Sequence, residues 1–327
     1  MSRYPNRWKY VNALRLVVLT LAFVPLVFLP YSTIYQHFLA AHAYDMLNAS
    51  DQRLYDVMNF LTGNFITDAK QFDVVKGTTW SATFWGFKLS DPLAVLSQTA
   101  AHTHLHGPLL LSVLLPVLAT VILGRFFCGW LCPANLLYEL ADWIAERLRR
   151  AGVPLGDRRF DRRLKYGVLA VGVIASAWGG TVAMSAIYPP AIVGREAYYL
   201  IATAGAGAGT AFFAVTLLFD LLVARRGFCR VLCPGGALYS LLGRYRLLRV
   251  QRKVDLCNDC KKCDQTCMFD LNPMADGFGQ ECNNCGACIA VCPTGSLVFE
   301  WARKDGPPQG PGHLGSVYKK NKGTPHA

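Results

Sequence analysis

Eight of the twelve cysteines lie between residues 257 and 292, in two groups that each read C-x2-C-x2-C-x3-C. This is the spacing of two [4Fe-4S] clusters, in which three thiolates of one group bind one cluster and the fourth binds the other. Two zinc sites match less well, because zinc favours two C-x2-C pairs without a third evenly spaced cysteine. The predicted ligands of one cluster are Cys257, Cys260, Cys263 and Cys292, and those of the other are Cys282, Cys285, Cys288 and Cys267.

The other four cysteines form two C-x3-C-P motifs that lie 101 residues apart (229 − 128). Proline favours the first turn of a helix and disfavours helical geometry in the residue before it, which predicts N-caps at Cys132 and Cys233. A helix dipole would stabilise a thiolate there. Each pair could bind a metal, form a reversible disulfide or pack as small apolar residues. The candidate metal ligands are Cys128, Cys132, Cys229 and Cys233.

Composition indicates a membrane protein, since 53 % of the residues are hydrophobic and the mean hydropathy is +0.26. Apolar runs predict membrane spans at about 11–31, 108–127, 164–188 and 201–224. Arginines cluster beside these runs, which places both termini in the cytoplasm and residues 32–107 outside. The net charge of +12 is therefore assigned to topology and not to nucleic-acid binding.

The predicted fold is mainly α, a four-helix transmembrane bundle with a small C-terminal α+β domain like a bacterial ferredoxin. The two C-x3-C-P motifs make the spans two parallel repeats, which would bring all four thiolates to one site. Such a site suits an additional iron-sulfur centre or another thiophilic metal. The predicted domains are a membrane domain over 1–250, the two-cluster domain over 251–300 and a disordered tail over 301–327.

Four further residues are candidates for oxidising a quinol. His102 and His106 lie in the predicted outer loop, where imidazoles could accept protons. Asp91 precedes Pro92 as a predicted N-cap of a short helix in the same loop. Asp220 falls inside the fourth predicted span, and its alternative role is an ion pair with Arg225 or Arg226. No predicted span contains a histidine, which excludes a transmembrane bis-histidine haem.

The spans, both C-x3-C-P motifs, the sequence from Cys128 to Leu136 and the eight C-terminal cysteines together resemble the NapH/MauN type of ferredoxin-type membrane protein. Cys292-Pro293 and Gly286 also resemble a bacterial two-cluster ferredoxin, although Met268 stands where that family usually has proline. The resemblance implies a multi-pass inner-membrane component of a quinol dehydrogenase, which carries electrons through iron-sulfur clusters to a periplasmic redox enzyme. It also implies a hetero-oligomeric complex with a periplasmic iron-sulfur or cytochrome partner.

An assembly factor is the alternative function. C-x3-C-P membrane ferredoxins also resemble proteins that reduce or deliver copper during oxidase maturation. The outer histidines suit copper, but the chain has only 6 methionines and no methionine-rich tract, whereas Cu(I) favours thiolate and thioether ligands. A purely structural anchor does not account for eight cluster ligands.

Overall fold

A computed structural model describes residues 10–40, 44–46, 48–62, 83–84, 87–101, 107–156, 158, 160–180, 182–203, 205–275 and 278–301. Most of these residues are helical. The helices are α1 (Val11–Ala40), α2 (Ala49–Thr62), α3 (Pro92–Ala101), α4 (Gly107–Leu123), α5 (Phe126–Trp130), α6 (Pro133–Arg150), α7 (Leu164–Gly179), α8 (Val182–Ile187), α9 (Pro189–Thr203), α10 (Ala208–Leu222), α11 (Pro234–Leu242), α12 (Lys262–Thr266) and α13 (Ala287–Ala290). The strands are β1 (Thr83–Phe84), β2 (Phe87–Lys88), β3 (Leu248–Arg252) and β4 (Leu297–Trp301).

The prediction of a transmembrane four-helix bundle is wrong. Within the residues just given, no helix is both long enough and apolar enough to cross a membrane. The helices in the second, third and fourth predicted spans are α4 with 17 residues, α7 with 16 and α10 with 15. At about 1.5 Å per residue they reach roughly 23 to 26 Å, less than the ~30 Å of a hydrocarbon core.

Glycines explain why these helices are shorter than the apolar runs. Gly124 has φ +73° and follows the end of α4, and Gly180 has φ +77° and caps α7. Side chains other than glycine rarely adopt this left-handed geometry. The fourth run is divided, because α9 ends at Thr203 and α10 begins at Ala208. Average hydropathy over a run does not register such breaks.

The long helices pack around the segments that carry the C-x3-C-P motifs. Helix α1 packs against α6 and α9, α10 packs against α6, and α11 packs against α7. Helix α3 lies on α7, where Ser97 and Ser176 form a buried hydrogen bond of 3.0 Å. One apolar core contains Leu93, Met184 and Phe228. A second core joins α6, α9 and α10.

The eight-cysteine segment is closed by its first and last strands. Strands β3 and β4 pair antiparallel, with Leu248 opposite Trp301 and Arg252 opposite Leu297. The short helices α12 and α13 lie between them and pack against each other. We call the segment from β3 to β4 the cysteine unit. Its contacts include α1, which packs against α13. The domain boundaries remain a prediction, and the tail from residue 302 lies outside the described residues.

Candidate metal centres

The cysteine unit buries its thiols around a small apolar core. Val250, Phe278 and Ile289 are among the core residues. The buried cysteines that pack with them are Cys263, Cys282, Cys288 and Cys292. Two more, Cys267 and Cys285, pack with Met268, Phe269 and Ala287. All twelve cysteines of the chain are free of disulfides. Among the described residues, no group of three or more His, Cys, Asp or Glu is placed so that it could hold a metal ion.

Electrostatic interactions join cysteines both within and between the two predicted ligand sets. The charge of Cys292 acts on Cys263. Those of Cys285 and Cys282 act on Cys267. Cys263, which belongs to the other predicted set, also acts on Cys288. The ligand assignment itself stays a prediction.

One cysteine of the unit differs from its neighbours in its pKa. Burial raises the pKa of Cys267 to about 12 and that of Cys263 to about 11. Burial also acts on Cys292, but hydrogen bonds with Ser296 and Thr294 outweigh it and lower its pKa to about 7. The Ser296 hydroxyl oxygen lies 3.2 Å from the sulfur. Hydroxyl groups that stabilise a thiolate would also stabilise the charge of a sulfur bound to iron.

The four remaining cysteines line one cavity of about 30 Å³, although they come from segments 101 residues apart. We call it the thiol cavity. It lies between the two motifs, and its other walls include Tyr138 and Tyr239, which are separated by the same 101 residues. The repeat that is visible in the sequence is thus present in three dimensions. The cysteines that line the cavity are Cys128, Cys132, Cys229 and Cys233.

Backbone geometry at the second cysteine is the same in both motifs. Cys132 is the N-cap of α6 with φ −68° and ψ 115°, and Cys233 is the N-cap of α11 with φ −66° and ψ 116°. Proline occupies the first turn of both helices, so the predicted N-caps are confirmed. The Cys233 sulfur accepts a hydrogen bond from the Gly236 amide at 3.3 Å. Cys128 lies in α5, and Cys229 lies at the same position in a π-helical turn, Phe228–Leu232.

All four thiols of the cavity are held neutral by burial. It raises the pKa of Cys233 to about 12 and raises the pKa values of Cys132 and Cys229 well above their ordinary value. The pKa of Cys128 is also raised by burial, although the adjacent Arg125 opposes the change. The helix N-termini therefore do not produce free thiolates here. A bound metal would deprotonate these thiols outright.

A buried arginine stands three residues before the first cysteine of each motif. Arg125 and Arg226 are each only 1 % exposed. Arg125 pairs with Glu281 at 2.6 Å, and Glu281 also accepts from Lys165. Arg226 pairs with Asp142 at 2.6 Å, and additionally with Glu139 at 3.2 Å. The sequence interpretation named Arg226 only as a possible partner of Asp220 and gave Arg125 no role, although their equal offsets in the repeat were a usable signal.

Several contacts join the thiol cavity to the cysteine unit. Phe269, from the cysteine unit, forms part of the cavity wall. The indole N–H of Trp130 donates to the backbone oxygen of Asn284 at 2.9 Å. Glu281, the partner of Arg125, directly precedes the predicted ligand Cys282. The two groups of cysteines therefore lie side by side.

Asp91 is completely buried behind the thiol cavity and not at a surface. It caps α3 as predicted, because its Oδ1 accepts from the Leu93 amide at 2.8 Å. Two phenols also donate to it, Tyr188 at 2.9 Å and Tyr239 at 3.2 Å. Both tyrosines line the thiol cavity. A carboxylate predicted in an outer loop thus supports the cavity wall.

Asp220 is also buried, and its Oδ1 accepts from the Phe228 amide at 2.9 Å. Its Oδ2 has no hydrogen-bond partner among the described residues. Burial raises the pKa of Asp220 to about 7. The ion pairs of Arg225 and Arg226 are formed with Asp142 instead. Asp220 therefore orients the turn that carries the second motif. The other quinol candidates, His102 and His106, lie outside the described residues.

A family of sequences described as "4Fe-4S binding domain" matches this chain twice, at residues 105–152 and 206–255. The two matches begin 101 residues apart (206 − 105), the same offset as the motifs. Each match contains one C-x3-C-P motif and its buried arginine. The repeat is thus recognised independently of the cysteine unit.

Individual proteins are similar over most of their length. The chain is 35 % identical over 211 residues to the methylamine utilization ferredoxin-type protein MauN of Methylorubrum extorquens, covering 63 % of this chain and 70 % of MauN. It is 32 % identical over 219 residues to the ferredoxin-type protein NapH of Escherichia coli, covering 62 % and 72 %. It is 25 % identical over 246 residues to the putative electron transport protein YccM of Escherichia coli, covering 70 % and 67 %. No solved structure matches the chain.

Proposed function

The chain belongs to the family of ferredoxin-type proteins that includes MauN and NapH, and we propose that it carries electrons from quinol to a periplasmic redox enzyme. Its relatives and the matched 4Fe-4S domain support an iron-sulfur electron-transfer role. The proposal adds the quinol donor, the periplasmic acceptor and a place at the bacterial inner membrane. It also adds a periplasmic iron-sulfur or cytochrome partner in a hetero-oligomeric complex.

The observation that carries the proposal is that four thiols line one cavity beside the cysteine unit, although the described residues as they stand place no three of them so that they could hold a metal ion. Four cysteines are the full ligand set of a [4Fe-4S] cluster, and here they line one cavity. A cluster there would add a third redox centre to the two predicted in the cysteine unit. The cavity is narrow, so the thiol side chains would have to rotate outward to admit a cubane, as staggered rotamers permit.

The raised pKa values of these thiols disfavour a reversible disulfide. Exchange of thiols and disulfides requires a thiolate nucleophile. Burial keeps the thiols of Cys132, Cys229 and Cys233 protonated well above neutral pH. A metal bound at these cysteines would have to displace their protons.

Quinol oxidation releases two electrons and two protons, and the chain offers buried groups for both. The cysteines would hold the centres that take the electrons. Asp220 has a pKa of about 7, so it can accept a proton near neutral pH. Exposed apolar side chains on α1, α4 and α7 support a location at the membrane, where quinols dissolve. They include Leu21, Leu115 and Trp178, with exposures of 65 %, 59 % and 90 %.

The test is anaerobic reduction of the purified protein by ubiquinol and menaquinol, followed by EPR and by iron analysis. We expect the wild type to hold about 12 iron atoms, and Cys128→Ala with Cys229→Ala to hold about four fewer. Cys285→Ala is the comparison variant, because it should remove signals of the cysteine unit and leave the thiol cavity intact.

Two outcomes would contradict the proposal. Iron content unchanged by the two cavity substitutions would remove the third centre. Clusters that neither quinol reduces would remove the quinol as donor, while the iron-sulfur role stays in place. Copper bound in place of iron at the thiol cavity would favour the assembly-factor function.

A further inference from the structure

A cavity of about 550 Å³ opens beside the cysteine unit and is used by nothing described so far. Its volume lies in the range of small-molecule pockets, about 300 to 1,000 Å³. Its walls come from the segment before α7, from the second C-x3-C-P motif and from the loop after α12. The charged residues in these walls are Arg162, Arg225, Arg230, Asp264 and Asp270. We call it the arginine pocket.

Arg230 is the least exposed of the three cations, at 4 %. One of its terminal nitrogens pairs with Asp270 at 3.2 Å, and the other donates to the backbone oxygen of Arg225 at 3.1 Å. Its Nε, although buried, has no hydrogen-bond partner among the described residues. Leaving a buried donor of a charged group unpaired is unfavourable. The positive charge of this guanidinium lies in the wall of the pocket.

The other two arginines are anchored around the same opening. Arg162 donates to the backbone oxygens of Phe269 and Asp270, at 2.7 Å each. Arg225 pairs with Asp142 at 3.4 Å, and its side chain keeps 30 % exposure. Guanidinium groups are planar forks that match carboxylate and phosphate oxygens. Three such groups against two aspartates leave the pocket with an excess of one positive charge.

We propose that the arginine pocket binds a small organic anion, whose carboxylate or phosphate group is held by Arg162, Arg225 and Arg230. The apolar wall of Phe160 and Leu271 suits the uncharged part of such a molecule. Asp264 and Asp270 also line the pocket, and Asp270 is already paired with Arg230, so a bound anion would have to share that guanidinium. This inference does not depend on the quinol donor proposed above.

The position of the pocket gives binding a consequence for electron transfer. Cys267 and Met268 are part of its wall, and Cys267 is a predicted ligand of the second cluster. A negative charge placed there disfavours adding an electron to that cluster, because net charge sets the potentials of iron-sulfur centres. Anion binding should therefore lower the reduction potential of that cluster. This second step rests on the proposed iron-sulfur function, and the binding step does not.

Calorimetric titration of the cluster-loaded protein with inorganic phosphate and with succinate tests the binding step. We expect at least one anion to bind saturably. Arg225→Gln should weaken binding at least tenfold, and it should fold, because Arg226 still neutralises Asp142 at 2.6 Å. Arg230→Lys keeps the charge but loses the planar guanidinium fork, and it should also weaken binding. The matched control is Arg150→Gln, which removes an exposed arginine that pairs with Glu146 at the end of α6.

The possible results test anion binding, its specificity and its coupling to the cluster potential separately. No saturable binding of either anion would overturn the proposal and leave the arginines as compensation for the cluster charge. Equal weakening in Arg150→Gln would also overturn it, since this would show non-specific attraction. Binding that leaves the midpoint potential of every cluster unchanged in a redox titration would refute the coupling to Cys267 alone. Phosphate binding without succinate binding, or the reverse, would identify the anionic group.

Discussion

Asp220 shows how one buried carboxylate can limit stability. Its Oδ1 accepts from the Phe228 amide, which holds the turn before Cys229 in place, but its Oδ2 has no partner among the described residues. Burial raises the pKa of Asp220 from 3.8 to about 7. The folded protein therefore binds a proton more tightly than the unfolded chain does. The contribution of this residue to stability is full below pH 3.8 and is lost as the pH rises through 7.

The predicted result for Asp220→Asn follows from this loss of stability as the pH rises. Asparagine keeps an oxygen for the Phe228 amide and removes the buried charge. The increase in the free energy of unfolding over the wild type should therefore be larger at pH 8 than at pH 5. The difference should be on the order of 2 kcal/mol, since each pKa unit corresponds to about 1.4 kcal/mol. Urea unfolding at the two pH values measures it. Asp161→Asn is the control, because Asp161 also accepts from a backbone amide, that of Arg163, but lies exposed.

An equal increase in the free energy of unfolding at both pH values, or equal responses of Asp220→Asn and Asp161→Asn, would show that the charge of Asp220 is not what limits stability.

Asp91 shows which contacts of a single residue the sequence can predict. The sequence predicted its capping of α3 correctly from Asp91-Pro92. It did not reveal Tyr188 and Tyr239 as partners, because they lie 97 and 148 residues away along the chain.

At the scale of elements, the sequence predicted where helices begin better than where they end. Proline marks the starts of α3, α6 and α11, and each start was predicted. Helices α4 and α7 end at glycines that lie within apolar runs. Mean hydropathy over such a run does not reveal where the helix ends. The second and third predicted spans were wrong for that reason, and the fourth was wrong because its run is divided between α9 and α10. The geometry of the two motifs was accessible because it is local and repeated.

Substitution of Gly286 tests whether the contact between α1 and the cysteine unit contributes to stability. It caps α13 with φ +74°, and a Cβ there would lie 2.3 Å from Val11, the first residue of α1. Gly295 has φ +67° and no atom within 4 Å of a Cβ. Both alanine substitutions should cost about 1 to 2 kcal/mol from left-handed strain. Gly286→Ala should cost about 1 to 3 kcal/mol more because of the clash.

Thermal unfolding of the cluster-loaded variants measures the two costs, with iron retention as the second readout. Gly295→Ala is the matched control, since it has the same strain without the clash. Equal losses of thermal stability in the two variants would mean that packing of the start of α1 against Gly286 does not stabilise the cysteine unit.

At the scale of the whole molecule, one carboxylate joins the parts that carry the two groups of cysteines. Glu281 precedes Cys282 in the cysteine unit. It pairs with Arg125, beside the first C-x3-C-P motif, and with Lys165 on α7. These partners lie 156 and 116 residues away in sequence, so no local pattern predicts them. Burial and the nearby Arg125 lower the pKa of Lys165 to about 8.

Counting charges predicts unequal effects of substitutions in this network. Glu281→Gln leaves two buried cations without an anion and should destabilise the protein by about 3 to 5 kcal/mol. Lys165→Met leaves the pair of Arg125 and Glu281 intact and should change stability much less, since a buried charge is replaced by an apolar side chain of similar length. Urea unfolding gives both values, and iron analysis shows whether the clusters are kept.

The double variant Glu281→Gln/Lys165→Met is the decisive comparison, because only Arg125 then remains uncompensated. It should be more stable than Glu281→Gln alone, which is non-additivity of the kind expected for residues in one network. The same recovery should appear in the iron content, since Arg125 lies beside Cys128 and Glu281 beside Cys282. If the two single substitutions cost equally and their costs simply add, the network does not couple the thiol cavity to the cysteine unit. Each part would then hold its cysteines independently of the other.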